Sequence, residues 1–205
     1  MIGDIDKKYA EKGFRVIGVD EAGRGPLCGP VVTAAVSLCC DIPGLNDSKQ
    51  LSEKRRLELL PLIVKNSAWS LWAVRPEVID RLNILNATLL GMARCANRVI
   101  KKIQQDHIVI IDGNKLTKRI DNEISLVKGD ALSVNIAAAS ILAKCFRDRV
   151  MMRLDELYPE YHLASHKGYP TEEHYEILRK IGPCEIYRKS FRLFKEKEPE
   201  QLDLF

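Results

Sequence analysis

The 205-residue sequence predicts an α/β fold in which a mixed β-sheet carries helices on its faces. Two strand-like apolar runs come first, and three more then alternate with helical patterns. Hydrophobic residues make up 46% and charged residues 29% of the chain, which is ordinary for a globular protein. The length permits one well-buried core and is short for two domains. We therefore expect a single α/β domain.

Each element follows from a local pattern. Apolar and β-branched runs predict strands at about 14–20, 31–38, 67–74, 107–112 and 124–127. Helices are predicted from 53, with Ser52 as N-cap, from 76 to about 103, and over 135–157 and 172–181. Pro61 should end or kink the first of these helices. We interpret residues 1–13 as a polar lead-in and residues 162–171 as a loop.

Charge, cysteine content and hydropathy narrow the class of protein. The formal net charge of +4 permits a nucleic-acid partner without requiring one. The six cysteines show neither a CxxC pair nor a zinc-like spacing with histidine, so we expect free thiols in a reducing compartment. No run approaches the ~18 apolar residues of a membrane helix, and the charged N-terminal segment is unlike a signal peptide. We expect a soluble, cytoplasmic monomer.

Four acidic residues each close an apolar strand-like run: Asp20, Glu21, Asp112 and Asp130. Loops at strand ends are where open α/β sheets collect their sites, so these carboxylates are candidates for one cluster. Converging carboxylates repel unless cations are shared, and oxygen-only ligation favours Mg²⁺ or Mn²⁺ over zinc. Two such ions about 4 Å apart suit in-line phosphoryl displacement. Alternatively, the acids are helix caps or turn residues, as Asp-Gly at 112–113 would allow.

A glycine-rich turn follows the first two acids. Gly23, Arg24 and Gly25, here called the GRG loop, would let the backbone approach a substrate closely because glycine has no Cβ atom. Further candidates for substrate binding are Lys49, Lys128, His166, Lys167 and Tyr169. The alternatives stay open at this point: a plain tight turn with an exposed arginine, and ordinary solvated lysines.

The motifs and their order resemble the type 2 ribonuclease H family, ribonuclease HII. GVDEAGRGPLCGPVV opens the series and is followed by NDSKQLSEKRR at 46–56, LNILNAT at 82–88, IIDGN at 110–114, KGDALSVNIAAASILAKCFRDR at 128–149, HKGYPTEEH at 166–174 and RKSF at 188–191. The resemblance covers about residues 14–192. The sequence departs from the usual family pattern at Cys28, Thr117, Cys145, Glu185 and Tyr187.

This resemblance implies a ribonuclease H-like mixed five-stranded sheet flanked by helices, with a C-terminal helical extension, over residues 1–192. It implies a metal-dependent endoribonuclease that hydrolyses RNA in RNA–DNA hybrids and cuts 5′ of ribonucleotides embedded in duplex DNA. Two-metal-ion catalysis would leave 3′-hydroxyl and 5′-phosphate ends. The four acids would hold the ions, the GRG loop would read the ribose 2′-hydroxyl, and Tyr169 would pack on the sugar at the RNA–DNA junction.

Two other functions are compatible with the same residues. One is a DNA-directed nuclease or resolvase of the ribonuclease H-like class, for which the GRG loop and Tyr169 would have no ribose to read. The other is a non-catalytic, clamp-tethered nucleic-acid-binding protein, in which the acids would be mere caps.

Residues 193–205 form a charged tail with an apolar end. Its last residues, Gln201, Leu202, Asp203, Leu204 and Phe205, resemble the bacterial sliding-clamp binding motif. An apolar hook on a solvated tether favours binding in a partner's groove. The alternative is that the same leucines and phenylalanine dock onto the protein's own core.

Overall fold

The computed structural model describes residues 2–45 and 51–194, in which five strands form one mixed sheet. The strands are β1 (Arg15–Ala22), β2 (Val31–Leu38), β3 (Ser67–Val74), β4 (His107–Asp112) and β5 (Glu123–Leu126). Their order across the sheet is β3-β2-β1-β4-β5. β1 pairs antiparallel with β2 and β2 with β3, whereas β1 pairs parallel with β4 and β4 with β5. The predicted mixed five-stranded sheet is confirmed.

Helices flank this sheet. They are α1 (Asp4–Ala10), α2 (Glu53–Lys65), α3 (Pro76–Leu82), α4 (Ile84–Ile103), α5 (Val134–Leu157), α6 (Leu163–His166) and α7 (Glu172–Ile181). Short 3₁₀ helices cover Gly129–Ala131 and Pro159–Tyr161. Within the described residues, none of these helices is both long and apolar enough to cross a membrane.

The core lies on both faces of the sheet, and strand alternation decides which face each β1 residue joins. Ile17 and Val19 pack with residues of α4, while Gly18 and Asp20 point towards α5. A Cβ atom at Gly18 would lie 2.2 Å from the backbone of Asn135, so glycine is what lets α5 begin directly against β1. This close crossing carries α5 across the strand that ends in the acids.

The N-terminal segment was predicted as a lead-in, and this prediction is wrong because α1 forms there. Asp6 is buried and accepts hydrogen bonds from Ser133 Oγ at 2.8 Å, the Val134 amide at 3.0 Å and Asn135 Nδ2 at 2.7 Å. A carboxylate near the first turn of α5 also complements the helix dipole. α1 therefore anchors the N-terminus of α5.

Three other boundaries differ from prediction. The helix predicted from residue 76 is two helices, because Asn83 has φ of +63° and its side chain caps α4 by accepting from the Asn86 amide. Pro61 was predicted to end or kink α2; it lies inside the helix, so the predicted end is wrong, and Leu57, one turn before it, is exposed. The stretch predicted as a loop at 162–171 contains α6. Ser52 caps α2 as predicted, accepting from the Arg55 amide at 3.2 Å.

Candidate active site

Three of the predicted acids meet at one edge of the sheet. Asp20 and Glu21 lie near the carboxyl end of β1, and Asp112 is the last residue of the parallel neighbour β4. The β1–β4 register pairs Val19 with Ile111, which places Asp20 level with Asp112. Asp20 is buried, and the other two are half-buried. The fold thus brings together carboxylates that are about ninety residues apart in sequence.

The charges of these acids act on one another. Burial raises the pKa of Asp20 well above its usual range, and the charges of Glu21 and Asp112 raise it further. Hydrogen bonds from Ser140 and from the Glu21 amide, at 2.7 Å, partly oppose this shift. Burial also raises the pKa of Glu21, with an opposing effect from Arg24 at 3.4 Å and a further rise from Asp112. Burial and mutual repulsion therefore disfavour the ionised forms of Asp20 and Glu21.

Asp130 reaches the same edge through its neighbour. The Gly129 amide donates to Asp112 Oδ1 at 2.7 Å, which fixes the 3₁₀ helix Gly129–Ala131 against the end of β4. Asp130 is the next residue and is buried. Lys128, just before it, is exposed in the left-handed conformation with φ of +57°. The predicted fourth acid and one predicted lysine therefore lie beside Asp112.

The donor chemistry of the cluster fits a hard divalent cation. Across residues 2–45 and 51–194, no three His, Cys, Asp or Glu side chains already stand as a group that could hold a metal ion. All four candidate donors are carboxylates, however, and oxygen ligands suit Mg²⁺ or Mn²⁺. The raised pKa values of Asp20 and Glu21 indicate negative charge that a divalent cation would offset.

The GRG loop is held from behind by a buried arginine. Arg188 has no exposed surface, and its guanidinium donates to the carbonyl oxygens of Gly23 at 2.6 Å, Arg24 at 3.0 Å, Pro26 at 2.7 Å and Gly29 at 3.0 Å. Arg188 lies in the RKSF motif but was not predicted to support the site. Its partners are backbone carbonyls, which every residue has, so the sequence does not show which of them Arg188 binds.

A second buried arginine joins this segment to the loop that carries Tyr169. Arg147 of α5 donates to the carbonyls of Pro30 at 3.2 Å, Cys28 at 3.5 Å and Lys167 at 3.1 Å. A Cβ atom at Gly23, where φ is +95°, would lie 1.9 Å from Arg147 Nε. Arg147 therefore requires a glycine at that position. Arg147 was not predicted as part of the site, because it stands among other charged residues in the second half of α5 and its partners are backbone carbonyls.

Tyr169 lies next to the GRG loop. The residue is 41% exposed, and a Cβ atom at Gly25 would stand 3.8 Å from its Cε1. The Arg147 guanidinium and the Lys144 ammonium lie 5.8 Å and 5.9 Å from the ring centroid. An exposed aromatic face flanked by cations beside a glycine turn can pack on a sugar of a polyanionic strand.

His166 and Lys167 support this loop through contacts of their own. His166 is buried; its Nε2 donates to the Tyr161 carbonyl at 3.0 Å and its Nδ1 accepts from the Gly168 amide at 3.1 Å. Lys167 directs its ammonium to the Ala164 carbonyl at 2.5 Å. These contacts favour positioning of Tyr169 over the direct substrate contact predicted for both residues.

His174 was expected on a helix surface, and this expectation is wrong. Its side chain is fully buried, stacks on His166 at 4.0 Å between ring centroids, and donates from Nδ1 to the Tyr169 carbonyl at 2.9 Å. Its Nε2 accepts from the Tyr187 hydroxyl at 2.8 Å. Tyr187 is thus hydrogen-bonded to the histidine that holds the Tyr169 carbonyl. Lys49 and residues 201–205 lie outside the described residues.

The mixed sheet of this strand order, with carboxylates at the ends of two neighbouring parallel strands, agrees with the ribonuclease H-like class that the sequence predicts. The family model for ribonuclease HII matches residues 17–194. Ribonuclease HII of Francisella tularensis subsp. mediasiatica (strain FSC147) is 47% identical over 180 residues, which cover 86% of this chain and 95% of that protein. The chain belongs to the ribonuclease HII family, and it is a ribonuclease H hydrolase.

Solved structures support the same fold. The match to the "PCNA:RNase HII complex from Archaeoglobus fulgidus" has a TM-score of 0.72 and 27% identity, covering 89% of this chain and 98% of that one. Ribonuclease H2 from Pyrococcus horikoshii OT3 matches with a TM-score of 0.65 and 24% identity over 88% and 95% of the two chains. The predicted ribonuclease H-like fold, with its C-terminal helices, is confirmed.

Proposed function

We propose that this protein is an endoribonuclease that cuts the RNA strand of RNA–DNA hybrids and cuts 5′ of single ribonucleotides embedded in duplex DNA. The observation that carries the proposal is the placement of the GRG loop and Tyr169 directly beyond the acids that end β1 and β4. A nuclease that selects RNA must sense the 2′-hydroxyl next to the bond it cuts. The site supplies both parts at one edge of the sheet.

Asp20, Glu21, Asp112 and Asp130 would hold the divalent cations, Mg²⁺ or Mn²⁺. When bound, a pair of such ions supplies Lewis acidity for in-line displacement at phosphorus, which leaves 3′-hydroxyl and 5′-phosphate ends. The protein's own contribution is to fix the carboxylates: the Glu21 amide and Ser140 hold Asp20, and the Gly129 amide holds Asp112. Preset ligands lower the cost of assembling a charged site.

Substrate selection would come from the backbone of the GRG loop and from the Tyr169 ring. Glycine at 23 and 25 leaves the loop surface open to a ribose, and Tyr169 beside Gly25 would pack on the neighbouring sugar. Arg24, with 52% of its side chain exposed, and the exposed Lys128 are available for phosphates. Lys49 remains a predicted phosphate contact outside the described residues.

A single substitution at Asp112 tests the proposal. A DNA duplex with one ribonucleotide is incubated with Mg²⁺ or Mn²⁺ and wild type, Asp112→Asn or the control Asp121→Asn, an exposed acid away from the cluster. We expect wild type and Asp121→Asn to cleave equally and Asp112→Asn to lose at least ~100-fold in rate. Cleavage by Asp112→Asn at the wild-type rate would contradict the assignment.

The same assay separates the proposal from a DNA-directed nuclease. An all-DNA duplex of the same sequence should stay intact, because no 2′-hydroxyl is present for the GRG loop to bind. Equal cleavage of both duplexes would favour the DNA-directed alternative. Membership of the ribonuclease HII family argues against that alternative and against a non-catalytic binding protein.

We further propose that residues 1–192 form one catalytic domain, and that the tail, 193–205, binds the bacterial sliding clamp through residues 201–205. Support comes from the apolar motif itself and from the archaeal relative, whose structure is titled as a complex with PCNA. We propose a cytoplasmic location, as expected of a bacterial enzyme that acts on chromosomal duplexes, and a monomeric state.

Deletion of residues 201–205 tests the clamp proposal. Co-elution of the truncated protein with purified clamp should be lost, while cleavage of a free oligonucleotide duplex should match wild type. A full-length Lys195→Ala variant serves as the control and should still co-elute. Retained co-elution of the truncated protein would refute the proposal, and the elution volume without clamp reports whether the protein is a monomer.

A further inference from the structure

The guanidinium of Arg188 is buried, lies 5.0 Å from the centroid of the Phe191 ring and donates its hydrogen bonds to backbone alone. All four hydrogen bonds described above for its guanidinium go to carbonyl oxygens between Gly23 and Gly29, at 2.6 to 3.0 Å. A guanidinium is a rigid, planar fork of five N–H donors. Four carbonyls bound to one such fork are oriented relative to each other, so Arg188 sets the path of the whole segment.

Two of these contacts also set the direction of loop amides. The Gly23 carbonyl shares a peptide unit with the Arg24 amide, and the Arg24 carbonyl shares one with the Gly25 amide. The described residues contain no cis peptide, and in a trans unit the C=O and N–H groups point in opposite directions. Because both carbonyls point inwards to Arg188, both amides point away from it. Neither amide donates to another group within residues 2–45 and 51–194.

Arg188 is itself fixed on two sides. Its amide donates to the Leu27 carbonyl at 2.9 Å, next to the antiparallel bridge between Cys28 and Tyr187. On the other side, Asp80 of α3 accepts from the amides of the next two residues, 189 and 190, at 3.0 Å and 2.9 Å. The backbone of Arg188 is therefore fixed, so its guanidinium holds the carbonyls of the GRG loop in a set position.

We propose that Arg188 is a positioning residue for ribose recognition: it aims the Arg24 and Gly25 amides at the 2′-hydroxyl of the substrate. This inference rests on the proposed function, because it assumes that the GRG loop reads the ribose. Lysine cannot replace Arg188, since one ammonium on a flexible stem cannot hold four spread carbonyls in a plane. Loss of the guanidinium should therefore remove selectivity for ribose and leave binding to the phosphate backbone intact.

Equilibrium binding separates these two effects. Fluorescence anisotropy with Ca²⁺ in place of Mg²⁺ compares a duplex holding one ribonucleotide with an all-DNA duplex of the same sequence. We expect wild type to prefer the ribonucleotide duplex by about tenfold, the worth of one or two hydrogen bonds. In Arg188→Lys the preference should fall below about twofold while the all-DNA affinity changes by less than about twofold. A general folding defect would weaken both affinities equally.

A matched control and a second variant complete the test. Leu59→Ala removes buried apolar volume under α2, away from the loop, and should keep the ribose preference although it is less stable. If Arg188→Lys does not give a folded circular dichroism spectrum, Asp80→Ala is tested in its place. This substitution removes the acceptor of the amides of residues 189 and 190, next to Arg188, and Asp80 is only half-buried, so the fold should tolerate the change.

The outcomes are distinct. Wild type with neither ribose preference nor cleavage would refute the proposed function. An unchanged preference in Arg188→Lys, or in Asp80→Ala where the first variant is unfolded, would overturn the role of Arg188 alone. Equal weakening of both duplexes would also overturn it. Loss of preference with retained all-DNA binding supports the proposal.

Discussion

Protonation of His174 should destabilise the folded protein as the pH falls. Burial lowers the pKa of this imidazole from 6.5 to about 4, with a further lowering by His166 and only partial opposition from the hydrogen bond to the Tyr169 carbonyl. The unfolded chain therefore binds a proton before the folded chain does. The stability that the neutral ring contributes is complete above pH 6.5 and is lost progressively as the pH falls towards 4.

The size of the effect follows from the difference between the two pKa values. Each unit of separation corresponds to about 1.4 kcal/mol, so the full loss is about 3 kcal/mol and about 2 kcal/mol of it is reached at about pH 5. His166, whose pKa burial also lowers, adds to the same trend. Asp20 and Glu21 act in the opposite direction, because folding raises their pKa values.

Urea unfolding of wild type and His174→Gln at about pH 7.5 and about pH 5 isolates the contribution of His174. Glutamine keeps a polar side chain and does not titrate, and the acids contribute equally to both proteins. The difference in unfolding free energy between wild type and variant should shrink by about 2 kcal/mol between the two pH values. A difference that stays constant within about 0.5 kcal/mol would refute the buried, neutral state of His174.

Two further substitutions test contacts described above. Gly23→Ala should lose about 1–2 kcal/mol to the positive φ and more to the clash with Arg147, with cleavage falling at least ~100-fold, whereas Gly25→Ala should fold as wild type does. Thermal unfolding and the cleavage assay check both, and equal stability of the two would contradict the clash. Asp6→Ala should lose about 3 kcal/mol in urea unfolding because three donors at the start of α5 lose their acceptor, whereas the exposed Asp4→Ala should lose clearly less. Equal losses would contradict the anchoring role of α1.

The strands and the acids at their ends could be predicted because their signals are local. A short β-branched run that closes on Asp20 or Asp112 is readable from a few neighbouring residues, and the sheet order then brings the two together. The helix from Pro76 was harder, because its apolar stripe continues unbroken through Asn83. Only the left-handed backbone there, supported by capping of the next helix, ends the first helix.

The supports of the site could not be predicted, because they depend on contacts between distant parts of the chain. α1 has seven mostly polar residues. It is held against the start of α5 by the hydrogen bonds of Asp6, whose partners lie more than 120 residues away in sequence. Arg147 and Arg188 bind carbonyl oxygens, which every residue possesses, so no pairing pattern in the sequence identifies them. The buried position of His174 likewise depends on Tyr187, which lies 13 residues further along the chain.

The most direct test of the account is one matched pair of duplexes that differ by a single oxygen atom. One strand carries a ribonucleotide at a defined position, and the control carries the deoxyribonucleotide there; both are incubated with the wild-type protein and Mg²⁺ or Mn²⁺. We expect a single cut 5′ of the ribonucleotide, with 3′-hydroxyl and 5′-phosphate ends, and no cut in the control. Cleavage of both duplexes, or of neither, would contradict the proposal that cleavage at the acidic site requires the GRG loop to bind a 2′-hydroxyl.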